Sequence, residues 1–307
     1  MKNAMTRRKF LDASLKGSLA LAGASLLNPS ATRAVEPIKR PGKPRLQLAL
    51  AAYSFRDTFR SKDASKRITM ENFVDFCADH NCAAEVTSYF FPEPVTHDYL
   101  IKLKRQAFLR GIAISGSAVG NNFALPESDP KRAENIALVK KWVDHCVVLC
   151  APHIRVFAGP TQDKDIGPAK KRCIEALEEC GEYAGNHGIF LGLENHGGIV
   201  TEPDDLLEIV KAVKSPWVGI NLDTGNFHTD DPYADLARCA PYAVNVQVKA
   251  EIKRRGQTTK EESDVKRLVK ILRDTNYQGF VALEYEAKPD PWKAVPEWLK
   301  KLGDALA

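Results

Sequence analysis

Residues 189–223 read IFLGLENHGGIVTEPDDLLEIVKAVKSPWVGINLD: an apolar run ending near Glu194, a helical stretch opened by Pro203, and a second apolar run ending in Asp223. Runs this short, continuous in Leu, Ile and Val, fit strands buried on both faces, the kind that parallel sheets require. Strand, helix and strand within one such stretch make a crossover unit.

The unit recurs in both directions. Further strand candidates are LQLALAAYSF (46–55), CAAEVTSY (82–89), GIAISGSAV (111–119), HIRVFAG (153–159), AVNVQVKA (243–250) and GFVALEYE (279–286), which makes eight with IFLGLEN (189–195) and WVGINLD (217–223). Helical patterns lie between them. Asp129-Pro130 opens one to Leu149, and Gly111 follows HDYLIKLKRQAFLR. Others run from Pro168 to Asn186, Pro203 to Val213, Pro232 to Cys239, Glu262 to Thr275 and Pro291 to Leu302, where Pro296 is expected to kink the last. Eight alternations over roughly 260 residues are the count and length of a (β/α)8 TIM barrel. A doubly wound open sheet is the alternative, but no G-x-G-x-x-G follows the first strand.

Of the 307 residues, the first 34 read differently. Thr6-Arg7-Arg8-Lys9-Phe10-Leu11 precedes a weakly apolar stretch, Gly17 to Leu27, as in a twin-arginine export signal. That stretch is too short to span a bilayer. Cleavage after Ala34 would leave a Pro-rich linker, 35–45, and the barrel, 46–307, as a protein exported folded to the periplasm by the twin-arginine machinery, with no stable membrane anchor. The leader holds six Lys or Arg and one Asp, leaving 38 charges of each sign. A formally neutral barrel lacks the basic footprint of a nucleic-acid binder.

The seven cysteines, at 77, 82, 146, 150, 173, 180 and 239, include no C-x-x-C pair and read as core fillers. Twin-arginine substrates cross the membrane already folded, so buried thiols can persist, although a Cys173–Cys180 disulfide stays open.

In a barrel, chemistry sits at the carboxyl ends of the strands. Glu194, Asp223, Gln247 and Glu284 end the fifth to eighth runs, side by side and able to converge on one point, the shape of a divalent metal site. Glu-Asn-His, Asp-Thr-Gly-Asn, Gln-x-Lys and Leu-Glu-Tyr-Glu, in this order over about residues 46–290, resemble the xylose isomerase-like TIM barrels. That superfamily includes sugar isomerases, ketose 3-epimerases, inosose dehydratases and endonuclease IV. The resemblance implies a metal held by Glu194, Asp223, Gln247 and Glu284, with Glu194 and Glu284 also forming the proton-transfer pair.

Gln247 departs from the family's usual His; the H-x-K-D motif reads Gln247-Val248-Lys249-Ala250. An all-oxygen shell shifts the implied ion to Mn²⁺ or Mg²⁺ and away from Zn²⁺. Two other arrangements are open: Gln247 bonds a sugar hydroxyl while water completes the metal shell, or this branch has no metal.

The implied chemistry is isomerisation or epimerisation of a free, non-phosphorylated carbohydrate through an enediolate, whose charge must be stabilised as the proton leaves. A lyase or hydratase acting on 3-keto sugars or glycosides would use the same residues, and a non-catalytic sugar-binding barrel would need less of them. An endonuclease IV-like nuclease needs a histidine-rich zinc cluster, whereas only His153, His196 and His228 lie near strand ends. Substrate-contact candidates are His196, Lys249, Glu85, Arg155 and Tyr53, each with a bland reading beside it: a loop histidine, buried ion pairs, a core aromatic. Thr224 and Asn226 read as shaping the Asp223 turn, and Lys253-Arg254-Arg255 as a solvated loop. Assembly into a homo-oligomer is compatible with the sequence.

Overall fold

The structure, a computed structural model, describes residues 35–307; the twin-arginine stretch and its cleavage point lie outside them. Eight parallel strands close into one barrel: β1 Arg45–Ala51, β2 Ala83–Thr87, β3 Ile114–Ala118, β4 His153–Phe157, β5 Phe190–Glu194, β6 Val218–Asp223, β7 Ala243–Lys249 and β8 Gln278–Glu284. Each strand pairs with its neighbours in sequence, and β8 pairs with β1, so no edge remains. This is the (β/α)8 barrel, and every one of the eight apolar runs supplies a strand.

Among the described residues eight helices of eight residues or more surround it, beside a single-turn helix at Arg56–Phe59: α1 Met70–Asp79, α2 His97–Leu109, α3 Pro130–Leu149, α4 Gly167–Asn186, α5 Pro203–Ala212, α6 Pro232–Cys239, α7 Val265–Asp274 and α8 Pro291–Leu306. Their starts follow cap chemistry. Asp129, Asp231, Asp264 and Asp290 accept backbone N–H bonds at α3, α6, α7 and α8. Helix α1 has no counterpart among the helical stretches expected above, yet Thr69 and Asn72 form a reciprocal capping box at its start. Helix α8 runs through Pro296.

The main core lies between strands and helices, while a small apolar cluster of Ala49, Ala83, Ala282 and Phe280 lies apart from it. The Pro-rich segment is tied down: Val35 N–H donates to Val213 O at 2.9 Å, Ile38 N–H to Pro241 O at 2.9 Å, and Asn276 Nδ2 to Arg40 O at 2.8 Å. Among the described residues no helix is long and apolar enough to cross a membrane.

All seven cysteines are free thiols. Cys173 and Cys180 stand seven residues apart on α4, about 10 Å along its axis and beyond disulfide reach, which removes the open disulfide. Burial pushes both, and Cys239, up to about 12. Cys150 alone is exposed, in the left-handed conformation (φ 58°) that ends α3.

Candidate active site

Inside the barrel, polar residues form two connected groups. The first ties β2, β6 and β7 together. Glu85 accepts from Asn245 Nδ2 at 2.6 Å and from Gln247 Nε2 at 2.5 Å, while Gln247 Oε1 accepts from Asn221 Nδ2 at 2.6 Å. Asn245 also donates to Asn221 Oδ1 at 2.8 Å, and His153 Nε2 lies 3.6 Å from Glu85. Gly116 makes room for that histidine, since a Cβ there would sit 2.0 Å from the ring. Both ends of the Gln247 amide are therefore engaged, one by the adjacent strand β6 and one by β2 across the barrel, and Glu85 is buried among these amides.

The second group lies at the strand ends. On β4, Arg155 places Nε 2.9 Å from Glu194 Oε2, as an ion pair not lined up as a hydrogen bond. Its Nη1 donates to Val119 O at 2.8 Å, and its guanidinium lies 3.8 Å from the Phe157 ring centre. On β7, Lys249 points to the same face as Gln247 but two residues further along. Its Nζ donates to Glu284 Oε2 and Glu286 Oε2, both at 2.6 Å, and sits 3.2 Å from Asp223 Oδ2. Asp223 Oδ2 has no aligned donor among the described residues.

The turns after β5 and β6 fix these positions. Asn195 bonds reciprocally to the Asp223 backbone, accepting its N–H at 2.9 Å and donating to its O at 2.8 Å. Thr224 shapes the turn, accepting from Lys249 N–H at 3.0 Å. Asn226 does more than that: its Nδ2 donates to Glu194 Oε1 at 3.0 Å. Gly225 is needed for space, because a Cβ there would meet the Lys249 stem at 2.5 Å. Between β8 and β1, Ser54 Oγ accepts from Tyr285 N–H at 2.9 Å, which holds the backbone beside Glu284.

Four carboxylates, Glu194, Asp223, Glu284 and Glu286, face two cations, Arg155 and Lys249. Burial drives the Glu194 carboxyl well above the usual carboxylate range, Arg155 opposing and Asp223 and Glu284 adding to it. Burial likewise lifts Asp223 to about 7, against Lys249. For Lys249, burial favours the neutral amine, but Asp223, Glu284 and Glu286 outweigh it and hold the ammonium. Burial and the surplus of negative charge thus push Glu194 and Asp223 toward the protonated form while Lys249 stays charged.

The remaining candidates lie around this cluster. His196, exposed after β5, places its ring 4.5 Å from that of Phe157, and desolvation, Arg155 and Lys249 lower its pKa, which favours the neutral ring. Tyr53 belongs to an aromatic wall, 6.3 Å edge-on to Tyr89, whose hydroxyl is 3.4 Å from Arg155 Nη2. Arg254 and Arg255 pair with Glu261 and Glu202 on the surface. A cavity of about 190 Å³ reaches the cluster past Asn226, His228, Lys249 and Glu286. Sequence reading passed over Asn195 and Glu286. Glu286 had a signal in Leu-Glu-Tyr-Glu, whose two acids share a face.

The barrel is similar to solved structures at low identity. These include D-psicose 3-epimerase with D-tagatose from Clostridium cellulolyticum H10 (16% identity, 85% of this chain and 96% of that one, TM-score 0.66). They also include 3-keto-D-glucoside 4-epimerase from E. coli (14%, 84% and 100%, 0.63) and the IOLI protein solved with a bound zinc atom (17%, 84% and 96%, 0.66). No curated protein matches the sequence. The family described as xylose isomerase-like TIM barrel matches over residues 73–302, most of the closed barrel and all the strand ends that carry the cluster, and the chain belongs to that family.

Proposed function

We propose that this barrel is a sugar isomerase or epimerase that moves a proton next to a carbonyl, through an enediolate, on a free carbohydrate. The observation that carries the reading is the convergence of Glu194 and Glu284 from separate strands onto two fixed cations, Arg155 and Lys249, beside a cavity. A carboxylate removes the proton on carbon, the electron pair moves to the carbonyl oxygen, and the cations hold the oxygen charge that develops. Return of the proton to the opposite face gives an epimer; return to the neighbouring carbon gives an isomer. The cavity is smaller than the clefts of about 300–1,000 Å³ that take larger ligands. The likeness of the barrel to two solved carbohydrate epimerases supports the same class.

The divalent ion implied by the sequence resemblance must find its ligands among Glu194, Asp223, Gln247 and Glu284, and the residues do not fit it. Gln247 is bonded at both ends of its amide, and an ammonium or guanidinium group already lies against one oxygen of each of the three carboxylates. Among the described residues no group of three His, Cys, Asp or Glu side chains is spaced to hold an ion.

The test is incubation of the purified protein in D2O with a panel of free aldoses, ketoses and 3-keto-glycosides. Carbon-bound deuterium with an epimeric or isomeric product is expected by mass spectrometry. An unsaturated or cleaved sugar would instead assign the lyase reading, and no exchange with any member of the panel would remove the proposal.

A further inference from the structure

We infer that the Lys249 ammonium takes the place of a divalent cation in this barrel, so that the chain does its chemistry without a metal and Lys249 is itself a catalytic residue. The catalytic half of the inference rests on the function proposed above; the cation-replacement half rests on geometry alone.

Three independent features of the chain build that position. The first is where Nζ ends up. It contacts carboxylates delivered by the end of β6, the end of β8 and the residue two beyond it, at 3.2, 2.6 and 2.6 Å. One compact positive charge bridging three acids from two strands is the role a bound ion would fill. The second is the cradle. The Lys249 stem passes over Gly225 so closely that a Cβ there would overlap it, and Thr224 fixes the Lys249 backbone. The Asp-Thr-Gly turn thus positions both the acid and the lysine that neutralises it. The third is the neighbour that is not a ligand. Gln247, in line with Asp223 across the sheet, turns its carbonyl to Asn221 and its amide to Glu85, within the other polar group.

A second cation bound to Asp223 and Glu284 would lie close to the ammonium that already contacts one oxygen of each, where the charges repel at short range in a buried site. Metal entry therefore requires Lys249 to leave. In the reaction, Lys249 and Arg155 supply the positive charge: as Glu284 or Glu194 takes the proton from carbon, an N–H of Lys249 donates to the carbonyl oxygen as it becomes an oxyanion. When the proton returns to the carbon it left, that oxygen is a carbonyl again; when it goes to the neighbouring carbon, the hydroxyl proton of the second oxygen crosses to the first, and the second becomes the carbonyl. Nothing is oxidised or reduced, and no co-reactant is consumed.

The test combines calorimetric Mn²⁺ titration with deuterium exchange on chelator-treated protein, for the wild type, Lys249→Met and Lys249→Gln. The wild type is expected to bind Mn²⁺ no tighter than about 1 mM and to keep its exchange rate within twofold after EDTA. Both variants, with the carboxylates freed, are expected to bind Mn²⁺ at least tenfold tighter and to lose exchange a hundredfold or more. Micromolar Mn²⁺ binding by the wild type overturns the inference, as do unchanged affinity in a folded variant and EDTA-sensitive exchange. If neither variant folds, the wild-type titration and EDTA comparison decide alone. If no sugar exchanges at all, the proposed function has failed, while the titrations still decide whether Lys249 stands where an ion would.

Discussion

Glu284→Gln is expected to lower deuterium exchange into any sugar the protein turns over by a factor of 10² or more, while leaving the unfolding transition close to wild type. General acid–base catalysis by a positioned side chain contributes about 10²–10⁴-fold, and an amide of the same shape can neither take nor return the proton. Stability should change little because the loss is partly compensated. Lys249 keeps Asp223 and Glu286 as partners, and the Gln carbonyl can still accept from Nζ. A non-catalytic sugar-binding barrel would behave differently, keeping its affinity in the variant and showing no exchange in either form. Side-by-side exchange rates and sugar-binding isotherms separate the two.

Glu85→Ala is expected to produce the largest loss of stability, about 3–5 kcal/mol, read as a lower urea midpoint at unchanged slope. Both Glu85 oxygens accept amide hydrogens deep in the barrel, so truncation leaves the Gln247 amide without an acceptor and takes from Asn245 one of its two. Such an orphan costs about 1–3 kcal/mol, and the vacated space adds to it. Glu85→Gln should cost less, because one carbonyl oxygen survives, but not nothing, because its NH₂ must face a donor where an oxygen stood. Equal midpoints for wild type and Glu85→Ala would mean that this polar group does not hold the barrel together.

The strands were legible because a parallel strand buried on most of its length writes itself as a short, mostly apolar run bounded by turns, and all eight runs supplied a strand. Helix α1 was less so: its start depends on Thr69 and Asn72 exchanging bonds, while its composition, with Glu71, Asp75 and Asp79, hides the buried stripe of Met70, Phe73, Val74 and Cys77. In the site, alternation tells which residues of β7 face inward but not what each one meets there. Gln247 and Lys249 share a face, yet one is bonded to Glu85 and the other to the carboxylates of β6 and β8. Which neighbour each finds depends on the stagger between strands far apart in the chain, a property no local pattern encodes. Glu85 shows the same limit: a charged residue in an apolar run signals something polar inside the barrel, while its partners, two amides of β7, are set by that stagger. Asn195 and Asn226 were hidden differently, because a loop amide reads alike whether it bonds a backbone or a catalytic acid.

The thiol at the end of α3 sets how this molecule ages in solution. Six cysteines are sealed in the interior, so oxidants and alkylating agents meet only Cys150. A molecule with a single accessible sulfur can be joined to one other and then has nothing left to extend the chain. Storage in air should therefore stop at a covalent pair, twice the 34.0 kDa chain on a non-reducing gel, and never proceed to ladders.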